Sequence, residues 1–185
     1  FIEIFYGQLV SKIEVINSSN NIVSYSYTPQ SVFSLPIPNI NNVNIYDCFD
    51  LFTESEVLDG DNKWKYDKDN KYYDVEKSLK VWKFPDILII HLKRFDNRNK
   101  KITTFVDFPL KLNLTKYCIG YSKHKSKFNL IGICNQIGSI NSGHYFAYCK
   151  DNNNNWFKFD DERISYIETN NIVSKNAYIL FYKKC

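Results

Sequence analysis

The stretch SGHYFAYC at residues 142–149 places His144 directly after a Ser-Gly pair and before a strand-like run. An imidazole at a strand entrance can act as a general base, because its charge changes near neutral pH. Two carboxylates, Asp160 and Asp161, end the next strand-like run, WFKF. The short turn CKDNNNN joins the runs, so a hairpin would place His144 beside Asp160. This spacing predicts two parts of a nucleophile–histidine–acid arrangement, with a purely structural His–Asp hydrogen bond as the alternative.

The other two histidines are weaker candidates for chemistry. His91 lies inside the apolar run ILIIHL, where a structural role in a strand is expected. His124 lies in YSKHKSK, a polar segment in which the ring is expected to face water. Acid–base chemistry is therefore expected at His144.

The composition excludes several functional classes. The 185 residues suit one domain, and a hydrophobic fraction of 44% excludes a disordered chain. The net charge of +4 is mild and the basic residues form no stripe, which argues against nucleic-acid binding. The longest apolar run, Ile87–Ile90, is far shorter than the roughly 18–20 residues of a membrane span. We therefore expect neither a nucleic-acid partner nor a membrane.

The five cysteines are odd in number and widely spaced, which argues against a disulfide framework and a cysteine-rich zinc site. Free thiols are typical of a reducing compartment, so a cytoplasmic or nuclear location is expected. No cofactor is expected. The cysteines are Cys48, Cys118, Cys134, Cys149 and Cys185.

The first half of the chain predicts two hairpins and a helical segment. Residues 1–37 alternate around the turn NSSNN and predict a long hairpin, and the polar residues 60–78 predict an exposed one. Between them, apolar residues of 43–59 recur at helical spacing. Thr53, with Glu56 three residues later, predicts a second short helix.

The second half of the chain predicts a series of strands. The continuous run Ile87–Leu92 predicts a central strand that is buried on both faces. Alternating apolar residues predict the other strands, which are 105–112, 128–137, 144–150, 156–160 and 176–184. The chain is therefore expected to be a single α+β domain of mostly antiparallel β-structure.

Five segments of the chain, taken in order, resemble motifs of the ubiquitin-specific proteases, a family of papain-like cysteine proteases. The segments are FYGQLVSKI, YDCFDLFTESEVL, FPDILIIHLKRF, GSINSGHYFAYCKDNNNNWFKFDDERIS and NAYILFYKK. The fourth of these segments resembles the family's histidine box, which is a Gly-Gly-His-Tyr sequence, a strand, and then Trp-Tyr-x-Phe-Asp-Asp. The resemblance covers nearly the whole chain and favours the catalytic reading of His144 over the structural one.

The resemblance implies a set of roles and partners. The family cuts the bond after the C-terminal glycine of ubiquitin, which makes ubiquitin or polyubiquitin conjugates the expected substrate. His144 would be the general base, Asp160 would orient its ring, and Asp161 would support them. The loop before His144 would be mobile. Residues that would line the channel for the ubiquitin tail are Asn141, Ser142, Gly143 and Tyr145.

Two departures from the family pattern matter for function. The family's cysteine box is absent, and Cys48 and Cys149 are expected to be buried, so the nucleophile would lie in a missing upstream part of the domain. The four zinc-ligand positions of the family's hairpins are also replaced, so no metal is expected there and the hairpins would be mobile. The replacing residues are Val15, Ser18, Tyr66 and Asp69.

The resemblance also divides the single catalytic domain, 1–185, into two parts. Fingers-like hairpins would occupy about 1–37 and 60–78, and the palm would occupy about 79–185. Intact histidine and acid residues favour an enzyme. The alternative is a catalytically inactive scaffold that still binds ubiquitin.

Overall fold

The computed structural model describes residues 2–16, 22–121 and 123–185. In this part of the chain, two α-helices, α1 (Ile2–Phe5) and α2 (Ile45–Phe52), accompany fourteen strands. The strands of the first half are β1 (Gly7–Val15), β2 (Val23–Gln30), β3 (Val32–Leu35), β4 (Glu56–Leu58), β5 (Trp64–Tyr66), β6 (Lys71–Tyr73) and β7 (Val75–Lys83). Those of the second half are β8 (Ile87–Leu92), β9 (Lys111–Asn113), β10 (Lys127–Gly138), β11 (Gly143–Lys150), β12 (Trp156–Asp160), β13 (Arg163–Ile167) and β14 (Ala177–Lys184).

The smaller main sheet has the strand order β2-β1-β7-β4. β1 and β2 form the predicted antiparallel hairpin, with Gly7 opposite Gln30. The prediction of one hairpin over the whole of 1–37 is wrong at both ends. Helix α1 precedes β1, and β3 leaves the hairpin for the other sheet, where Phe33 and Leu35 are completely buried.

The larger sheet has the order β13-β12-β11-β10-β14-β8-β3, with β9 paired beside β10. Every pairing in it is antiparallel except that of β3 with β8. This confirms the mostly antiparallel α+β prediction. β8 does lie between two neighbours, β14 and β3, but only alternate residues of it are fully buried.

Helix α2 forms where the spacing of four apolar residues predicts a buried face. Three of them, Ile45, Cys48 and Phe49, are fully buried, and the fourth, Phe52, is half-buried at the end of the helix. Asn44 begins the helix with a capping box, because its side chain accepts from Asp47 N while the Asp47 carboxylate accepts from Asn44 N. Helix α2 ends at Thr53, whose hydroxyl donates to Phe49 O at 2.9 Å.

The predicted second helix after Thr53 is wrong. Residues Glu56–Leu58 instead form β4 and pair antiparallel with β7. The Glu56 carboxylate meets Lys77 Nζ of that strand at 2.8 Å. Pairing with a distant strand thus outweighs the local capping signal of Thr53.

The core lies between α2 and the larger sheet, and phenylalanines make up its centre. The Phe84 ring lies 5.4 Å from that of Phe33, 6.3 Å from that of Phe49 and 5.8 Å from that of Phe128. These rings join α2, β3 and β10 to the segment that precedes β8. Burial of such large apolar surfaces is the main stabilising term for the sheet that carries the candidate site.

The β5–β6 hairpin is a separate two-stranded sheet, which lies in the chain between β4 and β7 of the smaller main sheet. Two of the four replaced zinc-ligand positions lie in it. The Tyr66 ring packs at a tilt against that of Trp64, with 5.2 Å between ring centroids, and Asp69 Oδ2 accepts from Tyr73 Oη at 2.5 Å. Aromatic contacts and one carboxylate bond therefore accompany strand pairing in this hairpin.

The remaining zinc-ligand positions are Val15, which is buried at the end of β1, and Ser18, which lies outside the described residues.

Strand β7 runs across residue 79, where the proposed palm begins, and belongs to the smaller sheet. None of the helices in the described ranges is long and apolar enough to cross a membrane.

Candidate active site

The candidate site is positioned by the hairpin of β11 and β12. The two strands pair antiparallel from Ala147 opposite Phe159 to Lys150 opposite Trp156. Asp151 closes the connecting turn, because its Oδ1 accepts from the backbone N–H groups of Asn153 and Asn155, each at 2.8 Å. The asparagine run is thus a tight turn. It fixes a register that brings the start of β11 close to the end of β12.

His144 and Asp160 are in direct contact, as this hairpin predicts. His144 Nε2 lies 2.5 Å from Asp160 Oδ1. An ionised carboxylate only accepts hydrogen bonds, so it places the imidazole proton on Nε2. Proton exchange with a reacting group then falls to Nδ1. This arrangement provides an oriented general base.

Asp160 is bound on both of its oxygens. Lys158 Nζ lies 2.6 Å from Oδ2, and His144 holds Oδ1. The hydrogen bond from Lys158, followed by that from His144, lowers the pKa of the Asp160 carboxyl below its usual value. The carboxylate therefore remains charged throughout the neutral pH range, where an orienting acid must accept from the histidine.

Asp161 lies next to the pair in the turn between β12 and β13. Its φ of +52° is in the left-handed region, which aspartate tolerates better than most residues. With His144, Asp160, Glu162 and Arg163 it lines an open cavity of about 450 Å³. The structure therefore brings together all three residues predicted for catalysis.

Within the described residues, His144, Asp160 and Asp161 offer ligand atoms that lie within 4.8 Å of one another. Such a spacing suits a cation. Both oxygens of Asp160 are already engaged, one by His144 and one by Lys158. A cation would therefore compete with an ammonium and with the imidazole. The geometry fits a hydrogen-bonded His–Asp pair better than a metal centre.

The loop that precedes His144 is a closed turn. Ser139 N donates to Ser142 O at 3.1 Å. The side chain of Gln136, which is buried, donates from Nε2 to both Ile137 O and Ser139 O at 3.1 Å. Gln136 was not anticipated from the sequence, because its role depends on the fold of the turn around it.

The predicted substrate-binding residues occupy three places. Ser142 and Gly143 line a second open cavity of about 370 Å³, together with His144. Asn141 is exposed at the tip of the turn. Tyr145 points to the other face of β11, where its ring lies 6.1 Å from that of Tyr178.

The other two histidines occupy the surroundings expected of them. His91 Nδ1 lies 3.1 Å from Ser34 Oγ, and its ring packs edge-on against Tyr178 at 4.8 Å. Burial lowers the pKa of the His91 ring, which is the shift expected of a neutral structural histidine. His124 is exposed.

Two of the cysteines have the opposite character from an activated nucleophile. Burial raises the pKa of Cys48 to about 12, and it also raises the pKa of the half-buried Cys134. Cys118 is buried and directs its thiol to Trp82 O at 3.4 Å. A catalytic cysteine needs a lowered pKa, so the surroundings of Cys48 and Cys134 disfavour the reactive thiolate.

The expectation that Cys149 is buried is wrong. It lies on the face of β11 that points away from the core, and the residue is exposed. Alternation along the strand gives the core-facing position to Tyr148 instead.

The hairpin carries an oriented histidine–carboxylate pair within a mostly antiparallel fold, an arrangement that suits a general base. The sequence profile of the family "Ubiquitin carboxyl-terminal hydrolase" matches residues 1–182. The chain therefore belongs to the ubiquitin carboxyl-terminal hydrolase family.

Two relatives illustrate the similarity. Ubiquitin carboxyl-terminal hydrolase 2 of Gallus gallus is 37% identical over 188 residues, which cover 98% of this chain and 52% of the relative. Ubiquitin carboxyl-terminal hydrolase 8 of Saccharomyces cerevisiae is 33% identical and is matched over 97% of this chain and 40% of its own length. The chain thus spans about half, or less, of these curated relatives.

Solved structures show the same fold. The SAGA DUB module of Ubp8, Sgf11, Sus1 and Sgf73 bound to monoubiquitin contains a chain that matches with a TM-score of 0.84 and 33% identity. The match covers 99% of this chain and 41% of that chain. The same module bound to ubiquitin aldehyde matches with a TM-score of 0.84 and 32% identity.

Proposed function

We propose that the chain is the base-bearing part of a deubiquitinating cysteine protease, which hydrolyses the bond after the C-terminal glycine of ubiquitin. One observation carries the proposal: His144 Nε2 and Asp160 Oδ1 lie 2.5 Å apart at the edge of an open cavity, in a chain of the ubiquitin carboxyl-terminal hydrolase family. In this proposal His144 is the general base, Asp160 orients it, and Asp161 supports the pair.

The chemistry proposed for His144 is proton transfer through Nδ1. The imidazole takes the proton of a cysteine thiol, and the thiolate attacks the carbonyl carbon of the glycine. The imidazolium then gives its proton to the leaving amine, and a thioester remains. His144 next takes a proton from water, which hydrolyses the thioester and frees the thiol. Asp160 stabilises the imidazolium in both halves of the cycle.

The nucleophile is proposed to lie upstream, in an N-terminal part of the catalytic domain that completes the site. The raised pKa values of Cys48 and Cys134 support this, since a thiolate forms poorly at such positions. The relatives also extend well beyond the matched region, because this chain covers 52% of one and 40% of another.

The proposed substrate is ubiquitin or a polyubiquitin conjugate. Support comes from the match to a ubiquitin-bound module and from the small residues beside His144. Ser142 and Gly143 line the cavity beside the histidine with small surfaces, which suits a Gly-Gly tail. Asn141 is proposed to border the same channel. Tyr145 is proposed to contact the tail from the other face of β11, beside Tyr178. A cytoplasmic or nuclear location is proposed from the five free cysteines.

The alternative is a catalytically inactive protein that binds ubiquitin as a scaffold. The intact contact between His144 and Asp160 favours the enzyme, because ubiquitin binding alone gives no reason to orient an imidazole.

The test uses the full natural protein and ubiquitin with a thiol-reactive group at its C-terminus, and it reads the intact mass. We expect one ubiquitin-sized adduct on a cysteine outside residues 1–185. The adduct should be lost in His144→Ala and retained in His124→Ala, a control at an exposed histidine. Ubiquitin binding without an adduct would support the scaffold, and an adduct on one of the five cysteines here would refute the upstream nucleophile.

A further inference from the structure

Lys158 contacts the proposed His–Asp pair through Asp160, and it is not one of the residues proposed above to line the substrate channel. It stands opposite Tyr148 in the β11–β12 ladder, on the face that also carries Asp160. Its Nζ lies 2.6 Å from Asp160 Oδ2, while His144 holds the other oxygen. The carboxylate is therefore fixed from both sides by two charge-assisted contacts.

The same ammonium also lies over an aromatic ring. Lys158 Nζ is 4.6 Å from the centroid of Phe146, a cation–π distance. The Phe146 ring in turn stacks on His144, with centroids 6.4 Å apart and an angle of 25° between the planes. Lys158, Asp160, His144 and Phe146 thus form a closed circuit of side chains, which we call the lysine circuit.

We propose that Lys158 is a positioning residue, which fixes the rotation of the Asp160 carboxylate and through it the ring of His144. This role rests on the proposed function, because it matters only if His144 transfers protons. The residue acts through Asp160.

The physical reason is geometric. A carboxylate held by one partner can rotate about its terminal bond and present either oxygen at varied angles. An ammonium on Oδ2 removes that freedom and leaves Oδ1 directed at Nε2. Asp160 would be ionised near neutral pH even without Lys158, so the benefit lies in orientation and not in charge state. Both side chains are partly exposed, at 34% and 28%, so solvent screening keeps the effect moderate.

The test measures steady-state cleavage of ubiquitin bearing a fluorogenic amide by the full natural protein. Lys158→Met keeps the stem and removes the charge, and we expect kcat to fall by about 3- to 10-fold with KM unchanged within about 2-fold. Lys158→Arg keeps a cation for both Asp160 and the Phe146 ring, so it should recover kcat to within about 2-fold of wild type. Lys150→Met is the control, since Lys150 stands opposite Trp156 in the neighbouring strand and should leave kcat unchanged.

A second readout separates this proposal from the proposed function. With ¹³C-labelled aspartate in the same protein, the pKa of Asp160 should rise in Lys158→Met and not in Lys150→Met. Full activity in Lys158→Met, or an equal loss in Lys158→Arg and Lys158→Met, would overturn the positioning role. An inactive wild-type protein would overturn the proposed function, and the positioning role with it, even if the Asp160 pKa still responded.

Discussion

Gly143 precedes His144 in β11, and its lack of a side chain determines how closely the turn 138–143 can pack. A Cβ built at Gly143 would lie 2.4 Å from Gln136 Nε2, 2.7 Å from Ser139 O and 3.0 Å from Ile137 O. Two of these atoms belong to the backbone, and the third is held by two carbonyls. The turn therefore cannot make room for a methyl group without moving the backbone next to His144.

At this residue scale, we predict that Gly143→Ala lowers the free energy of unfolding by about 1–3 kcal/mol, the usual effect of overpacking. It should also reduce adduct formation with the ubiquitin probe, because the histidine moves with the turn. Chemical denaturation and probe labelling measure the two effects.

Gly132→Ala is the matched control for that change. It lies in the adjoining strand, where the nearest atom to a new Cβ is 3.6 Å away, so a methyl group meets only ordinary contacts. Equal behaviour of the two variants would show that the close approach at Gly143 has no consequence.

Among the elements, the β5–β6 hairpin shows how little holds the part of the chain that lacks zinc ligands. Its strands are only three residues each, and none of their residues is fully buried. The Tyr73 hydroxyl donates to Asp69, which raises the pKa of Tyr73 and lowers that of Asp69. The mobility expected of the hairpin from its sequence remains a prediction.

At the element scale, we predict that amides of residues 64–73 exchange with deuterium faster than those of β10, which lies inside the larger sheet. Tyr73→Phe removes the bond to Asp69 and should accelerate exchange in the hairpin by about 2- to 10-fold, the value of one net hydrogen bond. Tyr72→Phe is the control, because the Tyr72 side chain is 64% exposed. Equal exchange in the two variants would contradict a stabilising role for Tyr73.

For the whole molecule, a single buried cation joins segments that are far apart in the chain. Arg94 has no exposed surface, and its guanidinium donates to Ala177 O at 2.6 Å, Thr104 O at 2.8 Å and Ile102 O at 3.2 Å. It thereby ties the segment after β8 to the start of β14, beside the core strands. Burial lowers the pKa of Arg94, but carbonyl dipoles satisfy most of its donors.

At the scale of the molecule, we predict that Arg94→Lys lowers the free energy of unfolding by at least about 2 kcal/mol, because one ammonium cannot reach three carbonyls and those left unpaired stay buried. Arg98→Lys, in the exposed loop after β8, should change stability by less than about 0.5 kcal/mol. Urea denaturation of both variants gives the comparison. Equal stability would mean that the carbonyls find other donors.

The sequence alone determined the elements whose signals are local. The asparagine turn and the two alternating runs require a β11–β12 hairpin, so the contact between His144 and Asp160 follows from nearby residues. Helix α2 likewise follows from the spacing of its apolar residues and its own capping site. In both cases the interacting groups are close in the chain, and turn chemistry or helical periodicity encodes the pairing.

The tertiary structure decided which distant strands become partners. Local pattern did not show that β3 would leave its hairpin to pair with β8, or that Glu56 would join a strand beside Lys77. The hydrogen bond from Arg94 to Ala177 O depends on the same long-range pairings. Alternation indicates which faces of a strand are apolar, but it does not name the strand that covers them. That selection comes from burial and shape across the whole chain.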